Sequence, residues 1–60
     1  MMYYIYDYDG NLISSGENKA QAIADAKLAV PGDSPLVGAE VSDDGRQGGF
    51  FVRGGIGFAF

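Results

Sequence analysis

MYYIYDY, residues 2–8, is a run of β-favouring tyrosine and isoleucine that stops at Asp9-Gly10. An Asp-Gly pair followed by Asn11 predicts a hairpin turn, because glycine accepts positive φ without steric cost. NLIS, residues 11–14, then predicts a short return strand. Side chains alternate across a strand. Tyr4, Tyr6 and Tyr8 therefore share one face of the first strand, and Tyr3, Ile5 and Asp7 share the other. Both faces carry aromatics, so alternation alone does not say which one turns inward.

The pattern changes period at NKAQAIADAKLAVPG, residues 18–32. Asn18 is a good N-cap, Gln21 completes a capping-box spacing, and Pro31-Gly32 is a stop signal. On a helical wheel Ala22, Ile23, Ala26, Ala29 and Val30 form one stripe, with Lys19 bordering it and Lys27 flanking it. A stripe made mostly of alanine lets a helix lie close to a sheet. It also contributes little apolar volume, so bulk must come from elsewhere.

PGDSP reads as a loop, LVGAEVSD as a third strand and GGFFVR as a fourth. Val37, Ala39 and Val41 share one face of the third strand. The turn between them is Asp43-Asp44-Gly45-Arg46, again with glycine after aspartate. Gly54-Gly55 breaks or bulges the fourth strand, and IGFAF, residues 56–60, follows as a short fifth strand or a continuation past a bend. Every phenylalanine lies in residues 48–60, and this tail is the expected source of the volume that the helix lacks. The pattern predicts one α+β domain over residues 1–60. A single helix packs on one face of a mainly antiparallel sheet of four to five strands, in the order ββαββ. One helix covers one face only, so the other face is solvated or covered by a second subunit or a ligand.

Composition narrows the function classes. The chain has 60 residues and neither cysteine nor histidine. Disulfides, thiolate metal sites and Cys/His zinc sites are excluded. A chain of this length buries only about 60% of the surface its unfolded form exposes, so tight packing or a partner subunit is expected, including a homodimer. The formal charge is −4, from eight acidic and four basic residues. That sign disfavours direct nucleic-acid binding and suits a protein partner with a basic surface. The longest apolar run is far short of the ~20 residues that span a bilayer, and no membrane association is expected. MMYYIYDYDG has no basic flank and no small-residue cleavage site, so a cytoplasmic protein with its native start is expected.

Candidate chemistry is sparse. DYDGN, residues 7–11, has calcium-loop character, but counting from Asp7 puts Leu12 at the glycine position and Asn18 at the glutamate position. RQGGFFVRG resembles faintly an aromatic base-stacking strand, yet the two-helix layout of such RNA-binding domains is lacking. GGIG has no GK[ST] and no following helix, so it is not a phosphate loop. Ser14, Ser15, Ser34 and Ser42 have no evident activating partner, and Asp43-Asp44 reads as a solvated turn. No catalytic residues, metal ligands or cofactors are expected.

Residues 4–30, YIYDYDGNLISSGENKAQAIADAKLAV, resemble the N-terminal part of HicB-family antitoxins. The matching features are the turn Asp7-Tyr8-Asp9-Gly10, then Ser15-Gly16-Glu17-Asn18, then Ala22-Ile23, Asp25-Ala26 and Ala29-Val30. The resemblance implies a hairpin leading into a helix in a reduced double-stranded-RNA-binding-like fold. It also implies a domain that masks a small basic RNA-cutting toxin.

The residues themselves point to a non-catalytic acidic protein-binding module. Its expected contact groups are Asp7, Asp9, Glu17, Asp25, Asp33, Glu40, Asp43 and Asp44, with Tyr4, Tyr6 and Tyr8 on a half-wet sheet face. One concrete form is an inhibitor that occupies the nucleic-acid-binding surface of a nuclease or defence complex as a DNA mimic, as phage anti-defence proteins do. The alternatives are a self-associating structural module and the antitoxin role.

Overall fold

The computed structural model describes residues 1–54. The chain runs β1 (Met2–Asp7), β2 (Leu12–Gly16), α1 (Lys19–Ala29), β3 (Leu36–Val41) and β4 (Gln47–Arg53). The ββαββ order is as the sequence predicts. The strands form one sheet in the order β2-β1-β3-β4, with every neighbouring pair antiparallel. β2 and β3 therefore run the same way, and α1 carries the chain between them across β1. The expected fifth strand at residues 56–60, and the core volume expected from Phe58 and Phe60, lie outside the described residues.

Both hairpin turns follow from their residues. Gly10 has φ +87° and donates its N–H to the Asp7 carbonyl at 3.2 Å. The Asp7 carboxylate accepts from the backbone N–H groups of Asp9 and Asn11 and from the Asn11 side-chain amide, each at 2.9 Å. The β3–β4 turn repeats the device, with Gly45 at φ +88° bonding back to Ser42. Tyr8 belongs to the first turn rather than to β1, which corrects its expected place on a strand face beside Tyr4 and Tyr6.

Helix α1 starts at its predicted cap. The Asn18 side-chain oxygen accepts from the Gln21 backbone N–H at 3.0 Å. The reciprocal half of the expected capping box does not form, because the Gln21 amide instead bonds Asp25 one turn on, at 2.8 Å. Removing the cap oxygen by Asn18→Ala is expected to cost about 1 kcal/mol. Thermal melts of the two proteins check this, with a drop of about 4–8 °C expected for a domain of this size.

The core is small. Ile5, Ala22, Ala26 and Leu36 are fully buried, and Tyr3, Ile13, Ile23, Val30, Phe50 and Val52 pack around them. Of the predicted helix stripe, Ala22 and Ala26 are buried and Ile23 and Val30 half-buried, but Ala29 is exposed. Ala29 is the last helical residue, beyond the two alanines that meet the sheet. The helix packs chiefly on β1 and β2. Ser14 helps seat it there, its hydroxyl donating to the Ala22 carbonyl at 2.6 Å.

The β3 side of that face is covered by one phenylalanine. Phe50 lies opposite Gly38 in the β3–β4 register, and a Cβ built on Gly38 would stand 2.2 Å from the Phe50 ring. The ring meets Tyr3 edge-on at a centroid distance of 6.3 Å, and the Lys19 ammonium sits 4.3 Å above it. An aromatic from the edge strand thus adds the bulk that the alanines omit. Phe51, the next residue, is 58% exposed and lies opposite Val37 on the other face, so Phe50 and Phe51 do not act together as core.

Two irregularities complete the inner side. The pairing shifts between Ile5 and Tyr6 and between Leu36 and Val37. Each bulge leaves an unmatched residue, Ile13 or Val52, that packs on the core. Arg53, just past the second bulge, donates to the carbonyls of Ser34 (2.8 Å), Gly32 and Pro31 (3.2 Å). It ties the loop after α1 to the end of the sheet.

Candidate interaction surface

The registers decide which side chains share the open face. Directly opposed residues of antiparallel strands point the same way. Tyr4 pairs with Ala39 and Ser15, Tyr6 with Val37 and Leu12, and Met2 with Val41. Ile5, opposite Gly38, belongs to the helix side. The face away from the helix therefore collects Met2, Tyr4, Tyr6, Leu12, Val37, Ala39 and Val41. Gln47, Gly49 and Phe51 extend it along β4.

No strand residue on this face is charged. Its central members Tyr4, Tyr6, Val37, Ala39 and Val41 are half-buried by their neighbours, and Leu12 at its edge is 55% exposed. Among the described residues no helix or loop covers it. The face is apolar at the level of Cβ and carries tyrosine hydroxyls at its tips. That is the composition of a surface able to exclude water against a partner while still hydrogen-bonding to it.

The predicted carboxylates do not gather on that face. β1 and β3 run in opposite directions, so Asp7, Asp9 and Asp33 fall at one end of the sheet, by the β1–β2 turn and the loop before β3. Glu17, Glu40, Asp43 and Asp44 fall at the other end. Asp25 is on the exposed side of α1, bonded to Gln21. The single carboxylate-bearing surface expected from the sequence is thus two acidic ends and one isolated helix residue. Tyr4 and Tyr6 are brought together on the open face, with Tyr8 in the turn beyond them.

Several of these carboxylates already have internal partners. Asp43 accepts from the N-terminal ammonium at 2.7 Å, which lowers its pKa and raises that of the amine. Asp44 is lowered first by the Ser42 hydroxyl and then by the Arg46 backbone N–H, and it also pairs with the Arg46 guanidinium at 3.3 Å. Asp7 is lowered first by the Asn11 amide and then by the turn N–H groups. A carboxyl whose folded pKa lies below its unfolded value adds stability above the unfolded value, near pH 4. That contribution is lost as pH falls through the folded value. Asp7→Asn is therefore expected to flatten the fall in Tm below about pH 4. Melts taken at a series of pH values would check it, and an unchanged acid slope would count against the turn assignment.

Beside the second end an open cleft of about 250 Å³ is lined by Met1, Glu40, Ser42, Arg46, Gln47 and Gly48. Its two cations, Arg46 and the N-terminal amine, are paired with Asp44 and Asp43. Among the described residues no group of three or more acidic side chains is placed to hold a metal ion, and no helix is long and apolar enough to cross a membrane.

Side-chain alternation puts Val37, Ala39 and Val41 on one face of their strand but does not join them to Tyr4 and Tyr6. Alternation in both strands was the available signal. The missing quantity was the register between strands that are about 30 residues apart in the chain. Fold and surface together define a single-helix α+β domain with one uncharged sheet face left uncovered among the described residues. No family model matches the chain, and no curated protein and no solved structure is significantly similar to it.

Proposed function

We propose that this protein is a non-catalytic protein-binding module that makes contact through the open face of its sheet. One observation carries the reading: all four strands contribute uncharged, largely apolar side chains to one continuous face, while the charged residues stand at its ends or across the sheet. A contiguous apolar patch rimmed by polar groups is the usual signature of an interaction site. Tyrosines at its middle are suited to act as anchors, since they bury large area at low entropic cost.

The inhibitor role fits this geometry in a particular form. The carboxylates frame the contact and steer the approach of a basic surface, and the tyrosine face seals it. A test compares three baits in a cell lysate: the native protein, Tyr6→Lys on the open face, and Leu28→Lys on the outer side of α1, where Leu28 is 86% exposed. Proteins held by the native and Leu28→Lys baits are expected to be lost from Tyr6→Lys. The two variants should melt close to the native protein. Equal capture by all three baits would refute the assignment of the face.

A further inference from the structure

The open face takes a more specific occupant once the charge around it is considered. Resting on the reading of that face as the contact surface, we propose that it receives a different protein, not a second copy of this chain. The partner's apolar patch is flanked on both sides by lysine or arginine.

The argument turns on the sign at the two ends. Asp9 and Asp33 stand at the first end, where the nearby Arg53 is turned onto backbone carbonyls of the loop after α1. Glu17, Glu40, Asp43 and Asp44 stand at the second end, where the N-terminal ammonium is paired with Asp43 and Arg46 with Asp44, so the carboxylates outnumber the cations. The lysines do not offset them at the rim, because Lys19 and Lys27 belong to α1, across the sheet from the open face. Both ends of the sheet therefore carry more acidic than basic side chains.

Two sheets packed face to face align their strands to within about 30°, so a second copy can be laid down parallel or antiparallel. Because both ends carry the same sign, either orientation sets acid against acid. Sheets stacked face to face stand ~10 Å apart, close to the ~8 Å screening length at physiological salt. A nucleic acid fails for the same reason, since it brings phosphates to both ends. A partner with basic residues converts both repulsions into attractions. β1 and β3 are each six residues long, which at ~3.3 Å per residue puts the ends about 20 Å apart. The partner's basic groups should then form two clusters with that spacing and an apolar strip between them.

The experiment pans a displayed library of random 16-residue peptides over the immobilised full-length protein at low salt. Selected peptides are then titrated against variants. The expected peptides have an aromatic or aliphatic centre with lysine or arginine towards both ends. Asp9→Lys with Asp33→Lys, and separately Glu17→Lys with Asp43→Lys, should each weaken their binding about tenfold. That loss should vanish near 1 M salt, where the screening length is about 3 Å. Tyr6→Lys should abolish binding at any salt. A library that yields no binder, or binders indifferent to Tyr6→Lys, overturns the reading of the face itself. Binders lost with Tyr6→Lys but lacking basic flanks, or unaffected by either pair of charge reversals, overturn the proposal alone. So does a dimer in sedimentation of the purified protein that strengthens with salt and disappears in Tyr6→Lys.

Discussion

Phe50→Ala is expected to leave the domain without a cooperative thermal transition at room temperature. The ring covers the part of the sheet that α1 does not reach, lying over Gly38 and held by Tyr3 and Lys19. Deleting a packed phenylalanine costs about 3–5 kcal/mol in well-buried settings. Phe50 is half-buried, so about 3 kcal/mol is the appropriate scale here. A single core in a chain this short rarely provides more than about 3–5 kcal/mol in total. Among the described residues the fully buried side chains are those of two large residues and two alanines, so Phe50 carries a large share of the packing between sheet and helix. Circular dichroism melts and urea titrations would check the prediction. A variant that still unfolds in one step, within a few degrees of the native protein, would mean that the ring is an ornament on the surface.

Gly38→Ala should produce the second-largest loss, by the opposite route. The added methyl would stand 2.2 Å from the Phe50 ring, well inside contact distance. Either the ring leaves its place over β3 or the β3–β4 pairing opens. Overpacking of this kind costs about 1–3 kcal/mol, which for a domain of this size is a fall in Tm of roughly 10 °C. The two changes should couple, since they act on one contact. In a double-mutant cycle, Gly38→Ala should cost much less on a Phe50→Leu background, where the smaller side chain leaves room for the methyl. Simple additivity of the two would show that the glycine matters for strand conformation and not for the ring.

These two residues mark the limit of what could be read along the chain. The elements were legible from local chemistry. Asp9-Gly10 and Asp44-Gly45 announce turns because glycine alone takes φ near +87° and +88° without penalty. Asn18 announces the helix start because its side chain can satisfy an otherwise unpaired N–H. Local chemistry does not reveal the missing half of the capping box or the exposure of Ala29, because Gln21 bonds the Asp25 carboxylate instead and Ala29 is the last helical residue, beyond the alanines that meet the sheet.

The candidate surface was only half legible. Tyr4 and Tyr6 could be placed on one face by counting, as could Val37, Ala39 and Val41. The eight carboxylates could be named but not located, and the division of all but the helical Asp25 between two ends follows from antiparallel pairing across a long connection. Open and covered faces were also indistinguishable in β1, since both bear aromatic residues.

The sequence by itself determined the order of elements, the two glycine turns and the meagre volume of the helix, because each of these is settled by residues within a few positions of one another. Only the tertiary structure decided which face α1 covers, that Phe50 and Phe51 part company, and that tyrosines and valines from distant strands meet on one uncharged surface. Those outcomes depend on register. A slip of one residue between β1 and β3 would exchange every inward and outward side chain, at no change in any local preference.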